Sequence, residues 1–246
     1  VFGFKRKTQP QPPAQPQVQP EPVPARPPVL ATPMVSLMKK AATSLEKDGL
    51  AGHRAAVHLV LDHSSSMLEY YRSGAMQRLA EQVLALSANL DDDGRVPLTY
   101  FATDAEPSTV VSLNSYAGVI NRTHERARWG GTNYAAAMDF VRLEHQGSDT
   151  PALVVFQTDG DPDSREAAEN ALRRAATEPL FFVFVGFGYR VNFLRRLDLL
   201  TGRLVDNAAF FPAPDPSRVT DEELYAAITG PYAKWLREAR AAGVVQ

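Results

Sequence analysis

From about residue 34 onward, short apolar runs alternate with segments whose apolar positions recur at helical spacing. Residues 57–61 are brief, β-branched and mostly apolar, the pattern of a strand buried on both faces. Met76, Leu79, Ala80, Val83, Leu84, Ser87 and Leu90 then follow the i, i+3, i+4, i+7 rule and predict one face of a helix. Strands are predicted over 96–102, 109–113, 152–156, 180–185 and 204–210, and the run at 180–185 is too apolar for a sheet edge. Asn114 is placed to cap a short helix reaching about residue 120. Further helices are expected over 134–145, 164–176 and 193–200. Thr220 caps a final helix carrying Leu224, Tyr225 and Ile228, and Gly230-Pro231 is expected to break or kink it before Tyr232, Trp235 and Leu236. Strand and helix alternate through most of this unit. That order predicts an α/β fold: three layers, with a mainly parallel sheet carrying helices on both faces.

The first 33 residues read differently. Ten of the 19 prolines fall there, interleaved with Gln9, Gln11, Gln15, Gln17 and Gln19. Such a segment has little apolar surface to bury and is expected to be a disordered, extended tail serving as a spacer. The expected organisation is a Pro/Gln-rich tail over 1–33 and one domain over 34–246.

Charge and composition narrow the function. With a net charge of −2 the chain offers no field for steering nucleic acid, so no nucleic-acid partner is expected. The absence of cysteine excludes disulfides, a thiol nucleophile and a thiolate metal site. No apolar run approaches the roughly 20 residues of a membrane span. Pro and Gln, rather than an apolar stretch, follow the basic start, so a cytoplasmic protein with no membrane partner is expected.

In sheets of this kind ligands bind beyond the carboxyl ends of the strands, and three groups of oxygen-bearing residues fall there. Asp62-His63-Ser64-Ser65-Ser66 follows the first strand. Alternate side chains Asp62, Ser64 and Ser66 can converge on one point and offer hard oxygens of the kind Mg²⁺ takes. Asp159-Gly160 follows the strand at 152–156. Gly130-Gly131-Thr132-Asn133 precedes the helix at 134, where Thr132 either faces a metal or merely caps the helix, capping being the default. Alone, each is an ordinary turn. Together they place five oxygen-bearing side chains on one rim.

The set resembles the metal-ion-dependent adhesion site of von Willebrand A domains, with Asp62, Ser64 and Ser66 as the first motif, Thr132 as the second and Asp159 as the third. The resemblance covers roughly residues 50 to 240. It implies a Rossmann-like sheet with one antiparallel edge strand. It also implies a Mg²⁺ site (Mn²⁺ or Ca²⁺ being alternatives) on Asp62, Ser64, Ser66, Thr132 and Asp159, in which the hydroxyls bind directly and the carboxylates largely through water. The implied role is non-enzymatic capture of a protein partner that offers an acidic side chain. Ser65 stands where that family usually has Gly, so a positive φ there would strain the loop. The stretches 71–77, 91–95 and 130–134 further resemble the A domains of bacterial tellurium-resistance proteins of the TerF kind, which implies a part in metal stress.

Two other classes fit the same residues. One is a Mg²⁺-dependent phosphoesterase with Asp62 as nucleophile or ligand; against it, no Lys or Arg adjoins the first motif to hold phosphate. The other is a metal-free scaffold whose rim residues act only as caps. Among the remaining candidates, Asn89 to Gly94 mimics the start of a calcium loop, but Tyr100 stands where the bidentate Glu belongs. Asp161 and Asp163 read as surface loop residues, His63 as an exposed neighbour of the site, and Trp129 as a cleft or core aromatic.

Overall fold

The structure, a computed structural model, describes residues 31–91 and 93–246. Residues 1–30, where the sequence predicts most of the Pro/Gln-rich tail, lie outside the described residues.

A six-stranded sheet forms the middle layer. In chain order its strands are β1 (Ala56–Asp62), β2 (Arg95–Phe101), β3 (Ala105–Ser112), β4 (Ala152–Thr158), β5 (Leu180–Phe187) and β6 (Ala208–Ala213). Their spatial order is β3-β2-β1-β4-β5-β6, every pairing parallel except β2 with β3. The predicted α/β architecture with one antiparallel edge is therefore present. The central strands β4 and β5 are buried at every position, which is why they read as unbroken apolar runs. Both outer strands carry a proline, Pro107 in β3 and Pro212 in β6, and the β2–β3 register shifts between Leu98 and Thr99.

Helices cover both faces. On one side α1 (Thr32–Lys47), α3 (Ala75–Leu90) and α8 (Asp221–Ala241) pack on Leu59, Leu61, Val155, Val183 and Val185. On the other, α5 (Tyr134–Glu144), α6 (Arg165–Ala175) and α7 (Asn192–Asp198) pack on Val60, Val154, Phe156, Phe182 and Phe184. Two short helices, α2 (Leu68–Arg72) and α4 (Val119–Thr123), complete the set. The alternation of strand side chains sends odd-numbered residues of β1 and β4 to the first face and even-numbered ones to the second. Asp62 and Thr158, the even-numbered last residues of adjacent strands, therefore end on the same side, the α5 side.

The structure adds two helices that the apolar spacing did not assign, α1 and the short α2. Of the break or kink expected at Gly230-Pro231, the break does not occur: α8 runs unbroken from Asp221 to Ala241. Proline inside a helix costs roughly 3 kcal/mol. Leu224, Tyr225 and Ile228 before it and Tyr232, Trp235 and Leu236 after it are all buried in one core, and that burial, at roughly 1.5–3 kcal/mol per large apolar side chain, outweighs the lost bond. The start of α8 is as predicted: Thr220 and Glu223 form a reciprocal capping box.

Candidate metal centre

The loop after β1 is organised by the carboxylate of Asp62, which is 0% exposed. Its Oδ1 accepts from the Ser64 amide at 2.7 Å and its Oδ2 from the Thr158 hydroxyl at 2.6 Å. The backbone carbonyl of Asp62 accepts from the Tyr71 hydroxyl at 2.8 Å. Burial is the main reason its carboxyl is pushed up to about 6, with the charge of Asp159 adding to the rise; the hydrogen bonds from Thr158 and Ser64 oppose it.

From this anchor a string of hydroxyls runs outward. Ser64 Oγ lies 3.2 Å from Ser66 Oγ, and Ser66 Oγ donates to Asp159 Oδ1 at 2.7 Å. Asp159 follows β4 directly and is half-buried; burial raises its carboxyl, while the Ser66 hydroxyl and the positive charge of Arg190 oppose the rise. Residues 65–67 form one 3-10 turn, and no described residue other than glycine has a positive φ. Ser65 therefore sits there without strain, and its Cβ costs the loop nothing.

Thr132 comes from a different loop and is fixed differently. Ser64 and Gly130 form an isolated parallel bridge that lays the two loops side by side. Gly131 N donates to Thr103 Oγ1 at 3.1 Å, Thr132 N to Asp163 Oδ1 at 3.0 Å, and Asp163 N back to Thr132 O at 3.0 Å. A Cβ on Gly131 would run into the Asp163 carboxylate, and one on Gly130 would meet Thr103 Oγ1 at 2.6 Å. The two glycines are thus required by close approach. Capping, the default role for Thr132, belongs instead to Asn133, whose side chain accepts from Ala136 N. The Thr132 hydroxyl has no hydrogen-bond partner among the described residues, and Thr132 lines one open cleft of about 590 Å³ with Ser66 and Asp159.

Four of the five expected residues are therefore joined by direct hydrogen bonds, and the fifth, Thr132, lines the same cleft as two of them, Ser66 and Asp159. The donor set is short of charge: among the described residues no group of three or more His, Cys, Asp or Glu is placed to hold a metal. Both oxygens of Asp62 are already engaged. What faces the cleft is hydroxyls and the carboxylates of Asp159 and Asp161, the latter paired with Arg165, a set that fits a hard, water-keeping divalent ion and does not fit a tightly caged transition metal.

Three expectations need correction. His63 is not exposed but fully buried. Its ring stacks on Trp129 with centroids 3.7 Å apart, and its Nδ1 lies 3.0 Å from Arg128 O. It therefore clamps the serine loop to the segment leading into Gly130, and burial holds its pKa below the usual imidazole range. Asp163 is not a bystander but the residue that fixes Thr132. Cations do adjoin the site: Arg165 and Arg190 line the same cleft as Ser66 and Asp159. Thr158 was missed altogether. Its signal lay in the β1–β4 pairing, where Leu61 opposite Gln157 makes Asp62 and Thr158 the next neighbours.

The family described as "vWA found in TerF C terminus" matches residues 54–245. The uncharacterized protein YcbR of Bacillus subtilis (strain 168) is 31% identical over 221 residues, 86% of this chain and 90% of that protein. Two solved structures share the fold. The manganese-loaded TRAP protein of Plasmodium vivax matches with a TM-score of 0.51 at 16% identity, over 74% of each chain. The SpRpn10 VWA domain matches with a TM-score of 0.52 at 12% identity, over 70% of this chain and 93% of that one.

Proposed function

This chain belongs to the TerF-like family of von Willebrand A domains, and on that premise we propose that it is a metal-dependent protein-binding module of the bacterial tellurium or metal stress response. A domains are typically binding modules rather than enzymes. The observation that carries the reading is the string Asp62–Ser64–Ser66–Asp159, with the unpartnered Thr132 hydroxyl on the same cleft.

In this reading Ser64, Ser66 and Thr132 hold Mg²⁺ directly, or Mn²⁺ as in the manganese-loaded relative. Asp62, with both oxygens engaged, fixes the loop and supplies negative charge from behind. Asp159 accepts a hydrogen bond from Ser66 and orients water. A bound divalent ion would supply residual positive charge, because all three direct ligands are neutral hydroxyls. An acidic side chain of a partner protein then gains a charge-assisted contact in the cleft. The module spans 34–246 with 1–33 as its tether, and lack of cysteine suits the cytoplasm. No helix among the described residues is long and apolar enough to cross a membrane.

Calorimetric titration with Mg²⁺ and Mn²⁺ tests this. Saturable binding, weakened by Asp62→Ala and Thr132→Ala with the fold intact, supports it; no heat at millimolar metal returns the domain to a metal-free scaffold. Arg165 and Arg190 favour a second reading, a Mg²⁺-dependent phosphoesterase, because they supply the cations such an enzyme needs. The buried, doubly bonded Asp62 carboxylate leaves no oxygen free to attack phosphorus. Phosphatase turnover with Mg²⁺ that Asp62→Asn abolishes would establish the enzyme instead. The stress role is read from deletion of the gene in its host: increased tellurite sensitivity supports it, unchanged sensitivity refutes it.

A further inference from the structure

The metal loops are flanked by clefts of different character. Toward α2 and α8, Glu69, Arg78 and Asp215 line a mostly apolar cavity of about 430 Å³, and Asp221 and Glu222 at the start of α8 are paired with Lys40 and Arg78. Toward α6 and α7 the character changes. The cleft that holds Ser66, Thr132 and Asp159 also carries Arg165, Tyr189, Arg190 and Asn192. Asn192 in turn lines a neighbouring cleft of about 520 Å³, with Arg173, Arg195 and Arg196. The two clefts share Asn192 in their linings, so the cations of the second lie next to the metal-loop cleft, and together we call them the track.

Charge along the track is only partly satisfied from within. Arg165 pairs with Asp161 at 2.6 Å and lies over the Phe193 ring. Glu169 serves both Arg173 and Arg196, at 3.5 and 2.8 Å. Arg190 and Arg195 make no contact ion pair among the described residues. The segment carrying Tyr189 and Arg190 is nevertheless fixed. Gly188 turns the chain at φ +68° and donates its amide to Pro214 O at 3.2 Å, and Val191 and Phe193 are buried just beyond. Tyr189 is held 84% exposed on this anchored turn.

We infer that this track receives an acidic, extended segment of a protein partner, whose leading carboxylate reaches the metal while following acidic groups pair with Arg190 and Arg195. The inference rests on the metal-site reading above. Guanidinium forks match carboxylates bidentately, and Tyr189 offers an open aromatic surface beside them. On the opposite flank the cations Arg78 and Arg218 are already paired with Asp221 and Asp215, whereas Arg190 and Arg195 leave their charge available to such a segment on the α7 side. The net charge of −2 disfavours a nucleic-acid backbone as the occupant.

Fluorescence anisotropy on the full chain in saturating Mg²⁺ tests the inference. The probes are a labelled Gly-Ser peptide with one Asp, the same peptide with three consecutive acidic residues, and one in which a phosphoserine matches the total charge. The triacid peptide is expected to bind about tenfold tighter than the monoacid one. The double variant Arg190→Gln/Arg195→Gln should erase that advantage while Mg²⁺ affinity by calorimetry moves less than threefold. Glu69→Gln, on the other flank, should not weaken the triacid peptide. An advantage that survives the double variant overturns the inference, as does a tenfold preference for the phosphoserine peptide. Mg²⁺ binding without discrimination among peptides sinks this inference alone; absence of Mg²⁺ binding sinks it together with the metal-site reading.

Discussion

The loop that follows β1 and the loop that precedes α5 bring their oxygens to one cleft by opposite means. The first is held from inside. Asp62 is buried beneath it and gathers the Ser64 amide and the Thr158 hydroxyl onto one carboxylate. The second is held from outside. Thr103 and Asp163 grip its backbone, and Gly130 and Gly131 let them approach. The cost of the first arrangement is electrostatic, a desolvated negative charge; the cost of the second is steric, space for no side chain at all. Charge should therefore control one loop and volume the other.

The sharpest break is Asp62→Asn. A carboxyl raised from 3.8 to about 6 by burial destabilises the metal-free fold at neutral pH; two pKa units correspond to about 3 kcal/mol. The neutral amide should raise the melting temperature in EDTA at pH 7.5 while lowering Mg²⁺ affinity at least a hundredfold. A variant less stable than the parent in EDTA would contradict the electrostatic account.

The pH dependence sharpens the same point. Because the folded carboxyl binds its proton more tightly than the unfolded one, the contribution of Asp62 falls as pH rises from about 4 through about 6, then stays flat. Buried His58, pushed down to about 4 by desolvation, works in the opposite sense, losing stability as pH falls below its unfolded value near 6.5. The stability difference between the parent and Asp62→Asn isolates the carboxylate. In denaturant titrations with EDTA that difference should grow by about 3 kcal/mol between pH 4 and pH 7; a difference independent of pH rules the mechanism out.

Gly131→Ala probes the second loop. Its Cβ collides with the Asp163 carboxylate, so a stability loss of about 1–2 kcal/mol and a tenfold drop in Mg²⁺ affinity are expected. In an Asp163→Ala background the same substitution should cost much less, since the obstruction is gone. Additive losses in that double-mutant cycle would show that the loop is not held by close approach. Ser65→Gly should be the mildest change, within twofold in Mg²⁺ affinity, because Ser65 already sits in unstrained right-handed backbone. A marked gain would mean that the side chain hinders the loop after all.

This contrast also explains what the sequence made legible. Asp62, Ser64 and Ser66 lie within one short string, so period-two geometry alone predicts their convergence. The apolar runs of β1, β4 and β5 have no competing interpretation once strand and helix alternate. Thr158 escaped notice, and Asp163 reads as an exposed loop residue without its hold on Thr132, because their roles depend on pairing across the sheet and between loops, which local pattern does not encode. Arg165 and Arg190 reach the cleft from α6 and from the turn after β5, so a search beside the serine string could not find them. His63 was misplaced for a similar reason: a polar residue between an Asp and a Ser reads as loop surface, and only the approach of Trp129, 66 positions later in the numbering, buries it. Pro231 misled in the other direction, since local helix-breaking chemistry gave way to burial on both sides of it.

The prolines of the outer strands carry a consequence for how this molecule can assemble. Each outer strand of the sheet lacks one amide donor, at Pro107 on one side and Pro212 on the other, which disfavours extension of the sheet by a neighbouring chain. On the metal-site reading proposed above, complexes form instead through side chains at the loop-bearing end, where a chelator undoes them.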